Sequence, residues 1–340
     1  MAVAERLSEE RSAGTLVQAT YAWSKDEDLS RTWTLFAVTL AVFGSAMAVA
    51  ALAPWWPLRL FGAVVQGLTA VRAFIFVHDH LHGAVFRKSR LGSLAMEVVS
   101  LLMLSPSSVW RETHDYHHRN NAKMIGATIG SYPVVTLAMW RILKKDQRFW
   151  YRFARHPLNM LCGYFTVFSI GMCISPFVRN PRMHWRGPFA LLIQACLLVG
   201  TGLGLGWDVA FFAAFFPTAL ALSTGAYLFY AQHNFPSVQL KDRAQWDYTY
   251  AALTSSSMMD MPNWMHWFTG NIGFHHVHHL NHRIPFYLLP DAMAAVPELR
   301  APGRTSLRPS AIVGCLQLAV WDGERSRMVT WPELREMGLM

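Results

Sequence analysis

The sequence predicts an all-α integral membrane protein: four transmembrane helices in two hairpins, with a cytoplasmic helical cap. Three observations carry this expectation. Four apolar runs are long and nearly uncharged, short turns join them in pairs, and the basic residues cluster beside the runs rather than within them. Of the 340 residues, 53% are hydrophobic and 15% are charged, too apolar a balance for an ordinary soluble enzyme. Runs of roughly twenty apolar residues are what a hydrocarbon core about 30 Å thick demands of a helix, whereas a soluble helix keeps one polar face.

The first two runs, residues 32–56 and 58–77, are separated by Pro54, Trp55, Trp56 and Pro57, and tryptophan suits the lipid-water boundary. The next pair, 188–205 and 209–231, is split by a turn at Gly206, Trp207 and Asp208. Between the hairpins, residues 87–155 are strongly basic, which places that loop, and with it the N-terminus, in the cytoplasm. The same rule accounts for the net charge of +9 without nucleic acid as a partner. Residues 1–28 lack a basic-then-apolar pattern ending in a cleavage site, so the first span is expected to direct insertion. The organisation expected is a cytoplasmic segment at 1–31, a membrane domain at 32–290 and a cytoplasmic tail at 291–340. Cys162, Cys173, Cys196 and Cys315 have no CxxC spacing and read as core or lipid-facing residues.

Most of the 15 histidines fall in three clusters: "HDHLH" at 78–82, "HDYHH" at 114–118 and "HHVHH" at 275–279. Residues at i, i+3 and i+4 share a helix face. His78 with His82, His114 with His117 and His118, and His275 with His278 and His279 are therefore each expected to aim at one point. Imidazole is a ligand for iron, zinc, copper or nickel, and this many of them exceed what one ion accepts, so the cap is expected to hold a di-metal site. His80 and His276 are out of register and are set aside. His233, in "AQHN" just past the fourth run, is a further expected ligand, because an ionisable residue at a membrane helix end is usually functional. His156, His184, His266 and His282 lack ligand-spaced partners and read as interfacial or hydrogen-bonded residues. Asp79, Asp115 and Glu112 could accept the second ring N–H of a ligating histidine. Asn271 reads first as a helix cap, and otherwise shares that supporting work.

The clusters also constrain the topology. Residues 158–177 are apolar and about long enough to cross, but arginines flank both ends: Arg152 and Arg155 before, Arg179, Arg182 and Arg186 after. A fifth crossing would put His233 and the third cluster on the opposite side from the first two. Residues 158–177 are therefore expected to be interfacial or re-entrant, as is the short run 91–104.

With "HDHLHG", "WRETHDYHH" and "GNIGFHHVHHLNHRIP" in this order, the chain resembles the membrane fatty acid desaturase family, whose boxes read HxxxH, HxxHH and HxxHH, from about Arg72 to Pro290. The third-box context, with "AQHNF" upstream, is most similar to bacterial acyl-lipid desaturases of the omega-6 type. The resemblance implies an oxidoreductase that introduces a cis double bond into a fatty acyl chain at a non-haem centre of two Fe ions, with O2 as co-substrate. Its ligands would be His78, His82, His114, His117, His118, His233, His275, His278 and His279. It implies a fatty acyl lipid or acyl thioester as substrate and a bacterial cytoplasmic membrane as location. No fused electron-donor domain is evident, so a ferredoxin or small cytochrome is expected as donor. Two departures stand out. Phe229 replaces the asparagine that acyl-CoA desaturases carry one turn before the residue matching His233, and His282 follows "HHLN". Acyl hydroxylases and ketolases would need the same ligands. A metal transporter or sensor would instead line the spans themselves with histidine.

Overall fold

The computed structural model describes residues 13–124 and 130–340. Residues 1–12 of the expected N-terminal segment, and 125–129 of the basic loop, lie outside the described residues. Four helices are long and apolar enough to cross a membrane. The first, α1 (Leu29–Leu52), starts at Asp28, whose carboxylate accepts a hydrogen bond from the Arg31 amide, and it ends earlier than the apolar run does. Ala53 precedes Pro54, and a residue before proline is pushed out of the helical region; Ala53 is extended, with ψ 140°. In α2 (Trp56–Leu81), Pro57 occupies the first turn, where its missing amide hydrogen costs nothing. This helix continues past the expected limit at residue 77, because His78 and Asp79 are buried against partners and need no aqueous exit.

The chain then forms α3 (Arg90–Leu102) and α4 (Ser107–Asn120), bent 90° from one another. After α5 (Lys145–Ala154) comes a shorter apolar helix, α6 (Tyr164–Arg179), largely π-helical. The second hairpin consists of α7 (Pro181–Leu205) and α8 (Trp207–His233). The former begins at Pro181 rather than at 188, since Arg182 and Arg186 sit in its polar first turns. The latter runs through His233, so that residue closes the span rather than lying beyond it. A π-helical turn at Phe211–Phe215 precedes Pro217, which has no amide to donate.

Packing makes α2 the central helix: 67% of its apolar stretch is buried inside the protein, against 17–28% for the other three. Small residues allow the approach, as is usual where lipid supplies no hydrophobic drive between helices. A Cβ on Gly62 would lie 2.7 Å from the Ala50 amide of α1, and one on Gly67 would lie 2.8 Å from the Pro217 carbonyl of α8. Away from the histidines, Arg59 of α2 pairs with Asp208 at 2.6 Å and joins the two hairpins.

The cap comprises α9 (Tyr248–Thr254), a short parallel pair of β1 (Met258–Asp260) with β2 (Arg304–Ser306), and α10 (His275–Leu280). An antiparallel pair, β3 (Leu318–Asp322) and β4 (Arg327–Thr330), is followed by α11 (Trp331–Glu336). Together they enclose a second small core with Trp140 and Tyr151. Arg155, one of the arginines flanking the run 158–177, is 1% exposed. Its guanidinium donates to the carbonyls of Pro133 and Leu318 and to the Tyr230 hydroxyl, at 2.8–3.1 Å, binding the loop after α4, the β3 strand and α8 into one body.

Substituting Gly62→Val should overpack the α1–α2 contact and cost about 1–3 kcal/mol. The measurable outcome is a lower thermal midpoint of the purified protein in detergent; an unchanged midpoint would mean the two helices do not approach this closely.

Candidate metal centre

Nine buried or half-buried imidazoles converge where α2, α4, α8 and α10 meet, and they sort into two groups. His78, His82, His114, His118 and His278 form the first; His117, His233, His275 and His279 form the second. Within each group the ligand atoms all lie within 4.8 Å of one another. All nine positions singled out in the sequence are in this set.

The sorting corrects the expectation that each cluster aims at one point. On α4, His114 and His118 enter the first group while His117 enters the second; on α10, His275 and His279 enter the second while His278 enters the first. The cause is helical geometry. At about 100° per residue, i and i+4 differ by roughly 40° in direction, whereas i+3 and i+4 differ by about 100°. An HxxHH sequence is thus a fork, with an i, i+4 pair on one tine and the i+3 residue on the other. Two such forks, one from each helix, interlock with opposite assignments. His78 and His82 both serve the first group, and His233 completes the second.

Contacts between rings define the polyhedra. In the first group the Nε2 atoms of His78 and His114 are 3.0 Å apart, those of His114 and His118 3.1 Å, and those of His118 and His278 3.2 Å. In the second, His117 to His233 is 3.0 Å, His233 to His275 2.9 Å and His275 to His279 3.1 Å. A metal–imidazole bond of about 2.1 Å puts adjacent ligands of an octahedral ion about 3.0 Å apart.

Tautomers point the same way. The Nδ1–H of His78 donates to the Asp79 carboxylate at 2.9 Å, and that of His233 donates to the Ser255 carbonyl at 3.0 Å. Each bond leaves Nε2 with a lone pair aimed at other ring nitrogens. The Nε2 of His82 is buried with no hydrogen-bond partner at all. Buried lone pairs facing one another repel, and a cation between them removes that cost. Burial, with repulsion from neighbouring histidines added to it, holds His82, His114, His117, His118, His275, His278 and His279 well below the usual imidazole range, so they stay neutral near pH 7, as ligands must.

The carboxylates divide. Asp79 lies inside the site, accepting from His78 and from the Phe286 amide at 2.7 Å. Glu112 is exposed and sits 3.6 Å from His184, and Asp115 is in neither histidine group. Asn271 does not cap α10, whose N-cap is Phe274; its backbone N–H instead donates to the His266 carbonyl at 2.9 Å, closing the end of the short helix Asn263–Phe268. It adopts a left-handed turn, φ 52°, and its side-chain amide donates to the Phe286 carbonyl at 3.2 Å. Asp79 and Asn271 thus hold the backbone of Phe286 at its N–H and at its C=O. Tyr248 donates its hydroxyl to the His279 carbonyl at 2.6 Å, and burial pushes its phenol up to about 12.

Three neighbours that were not expected at the site pack against the imidazoles. Trp110 stacks on His114 with ring centres 4.6 Å apart. It lies one helical turn before that residue, so helix periodicity places it on the ligand face. His282, set aside for lack of a spaced partner, lies 4.7 Å from the His82 ring and 5.2 Å from His118. Phe229 faces His117 at 5.2 Å and His233 at 5.8 Å. The other histidines lie elsewhere: His80 contacts the Val85 carbonyl, His276 the Leu299 carbonyl, and His156 accepts from the Leu158 amide. His266 packs on Phe274.

A cavity of about 530 Å³ opens onto both groups, touching His78, His114 and His275. Its walls are mainly apolar, drawn from α2, α6 and α8, including Ile75, Phe168, Met172, Leu222 and Phe229. Such a volume suits a long apolar molecule presented to the imidazole cluster.

Comparison with known proteins agrees with this geometry. The sequence model of the family described as "Fatty acid desaturase" matches residues 53–310. The chain is 27% identical to a "Fatty acid desaturase" of Bacillus subtilis, an alignment covering 82% of this chain and 79% of the relative. It is 23% identical to the "sn-1 oleoyl-lipid 12-desaturase" of Picosynechococcus sp., over 79% and 77% of the two chains. With the "Temperature-sensitive sn-2 acyl-lipid omega-3 desaturase (ferredoxin), chloroplastic" of Arabidopsis thaliana it shares 25% identity over 87% of this chain and 70% of that one.

Asp79→Asn should weaken metal retention about 10–100-fold, the usual effect of losing a carboxylate behind a ligating histidine. Metal content after stepwise dialysis against a chelator measures this. Retention equal to that of the unmodified protein would show that Asp79 plays no part in holding His78.

Proposed function

The chain belongs to the fatty acid desaturase family, and from that premise we propose that its nine histidines hold two Fe ions at which O2 is used to introduce a cis double bond into a fatty acyl chain lying in the cavity. The observation that carries the proposal is the division of buried imidazoles into adjacent groups of five and four. Five and four nitrogen ligands leave at least one position open at each six-coordinate ion, and open positions with imidazole donors suit non-haem iron.

The need for a redox metal follows from the substrate. A methylene C–H bond is far too weak an acid for any side-chain base near neutral pH, so hydrogen must leave by oxidation. Bound at these residues, iron supplies the activation of O2 by two electrons. What the chain's own residues do is separate. Asp79 and the Ser255 carbonyl fix the tautomers of His78 and His233. Trp110 and Phe229 place aromatic surface between the imidazoles and the cavity, where it excludes water. The walls of α6 and α8 hold the acyl chain in line.

Four apolar spans support residence in a membrane. On our reading this is the bacterial cytoplasmic membrane, with the histidines and both termini on the cytoplasmic side and α3 and α6 at the interface. The boundaries then follow those expected above, a membrane domain at 32–290 between cytoplasmic segments at 1–31 and 291–340. A ferredoxin or small cytochrome would deliver the electrons; one relative carries ferredoxin in its name. The substrate would be a fatty acyl lipid or acyl thioester. Among the supporting residues Asp79 bonds a ligating imidazole directly and Asn271 acts only through the Phe286 backbone, while Asp115 and Glu112 make no contact that favours a role at the metal site.

Expression in a host with a defined fatty acid profile, followed by gas chromatography with mass spectrometry, should reveal a new cis-unsaturated acid that disappears with His117→Ala and with His278→Ala. Only hydroxy or keto acids would sink the desaturase assignment. The purified protein should carry two iron atoms per chain; zinc in place of iron would remove the mechanism.

A further inference from the structure

The cavity carries one permanent charge that neither the fold nor the metal groups use. Arg179 is the sole charged side chain among the described residues that line it. Arg179 closes α6, is exposed, and forms no ion pair among the described residues. Its Nε reaches only the Ser175 carbonyl at 3.4 Å, one turn back. The neighbouring Arg186, by contrast, is paired with Glu97 at 3.0 Å.

Position matters as much as charge. Along α6, successive lining residues pass from Phe168, which is buried, through exposed Gly171 to exposed Arg179. This is an advance on the order of 15 Å. Among the described residues, Gly171 and Arg179 are the only lining residues that are exposed, so they mark the mouth. The apolar walls take a chain, and what meets the free guanidinium is whatever the chain is attached to. A guanidinium presents a planar fork of donors that matches phosphate oxygens two at a time.

We infer that Arg179 is a headgroup anchor, binding the phosphate at the head of the acyl substrate while the acyl chain lies in the cavity. This rests on the desaturase reading above. The phosphate could belong to an acyl phospholipid or to an acyl coenzyme A thioester, and the chemistry recognised is the same. Arg179 specifies the substrate and touches no reacting atom.

Equilibrium binding to the purified holoenzyme in a neutral detergent tests this, with radiolabelled oleoyl phosphatidylglycerol, oleoyl coenzyme A and an uncharged oleoyl monogalactosyl diacylglycerol as probes. Arg179→Gln should weaken binding of at least one phosphate-bearing probe by about tenfold or more and leave the galactolipid unchanged, while Arg179→Lys should restore part of the loss. Loss confined to phosphatidylglycerol identifies a lipid source, and loss confined to coenzyme A identifies a thioester. Equal weakening of the galactolipid, or no change with either phosphate probe, overturns the anchor. Because binding is read without turnover, failure of the desaturase assignment would show separately, as absence of an unsaturated product from the host.

Discussion

Burying nine imidazoles side by side is the constraint on which the rest of this structure depends. The rings must shed their water and present nitrogens toward one another, at 2.9–3.2 Å in six pairs and within 4.8 Å across each group. In isolation that arrangement is unfavourable, since desolvated lone pairs face one another. It becomes favourable when a cation sits among them, so the energy of metal binding is also energy of folding. Segments far apart in the chain are drawn together by this need: the end of α2, the middle of α4, the last residue of α8 and the one-and-a-half turns of α10.

The scaffold shows how those segments are held in register. Span α2 is enclosed by the others and carries its helix past the apolar run to deliver His78. Asp79 then ties that helix to the Phe286 N–H, and Asn271 holds the carbonyl of the same residue. Across the site, the Ser255 carbonyl orients His233, and the Tyr248 hydroxyl fixes the backbone of α10 at His279. These contacts are made by main-chain groups as often as by side chains. Residues that support the two imidazole groups are thus spread over the cap rather than concentrated in the histidine clusters.

The C-terminal region has a comparable supporting part. Residues 306–340 hold no motif, yet β3, β4 and α11 fold against Trp140 and Tyr151. Arg155 links this unit to the loop that borders the cavity and to α8. The cavity is therefore walled by α2, α6 and α8 and braced from the cap side. Among the described residues that line it, Arg179 is the one charged side chain, at an exposed position.

Sequence alone determined the class of fold, the nine histidines that come together, and the presence of more clustered imidazoles than one ion could use. It could do so because apolar run length and ligand spacing are local, periodic properties of a chain. The span limits were legible only to within several residues: a helix stops where its backbone stops being satisfied, and neither Ala53 before Pro54 nor the buried His78 is marked by hydropathy. Tertiary structure decided the rest. Which histidine joins which group depends on how α4 and α10 face each other, and spacing along one helix cannot show that. Arg155 reads as a surface charge until its three acceptors, drawn from distant segments, are seen around it. Asp79 is placed by His78 beside it and by Phe286, 207 residues away, while Glu112, almost as near a cluster in sequence, meets His184. Identity and spacing specify what a residue can bind, but only the packed chain specifies what it meets.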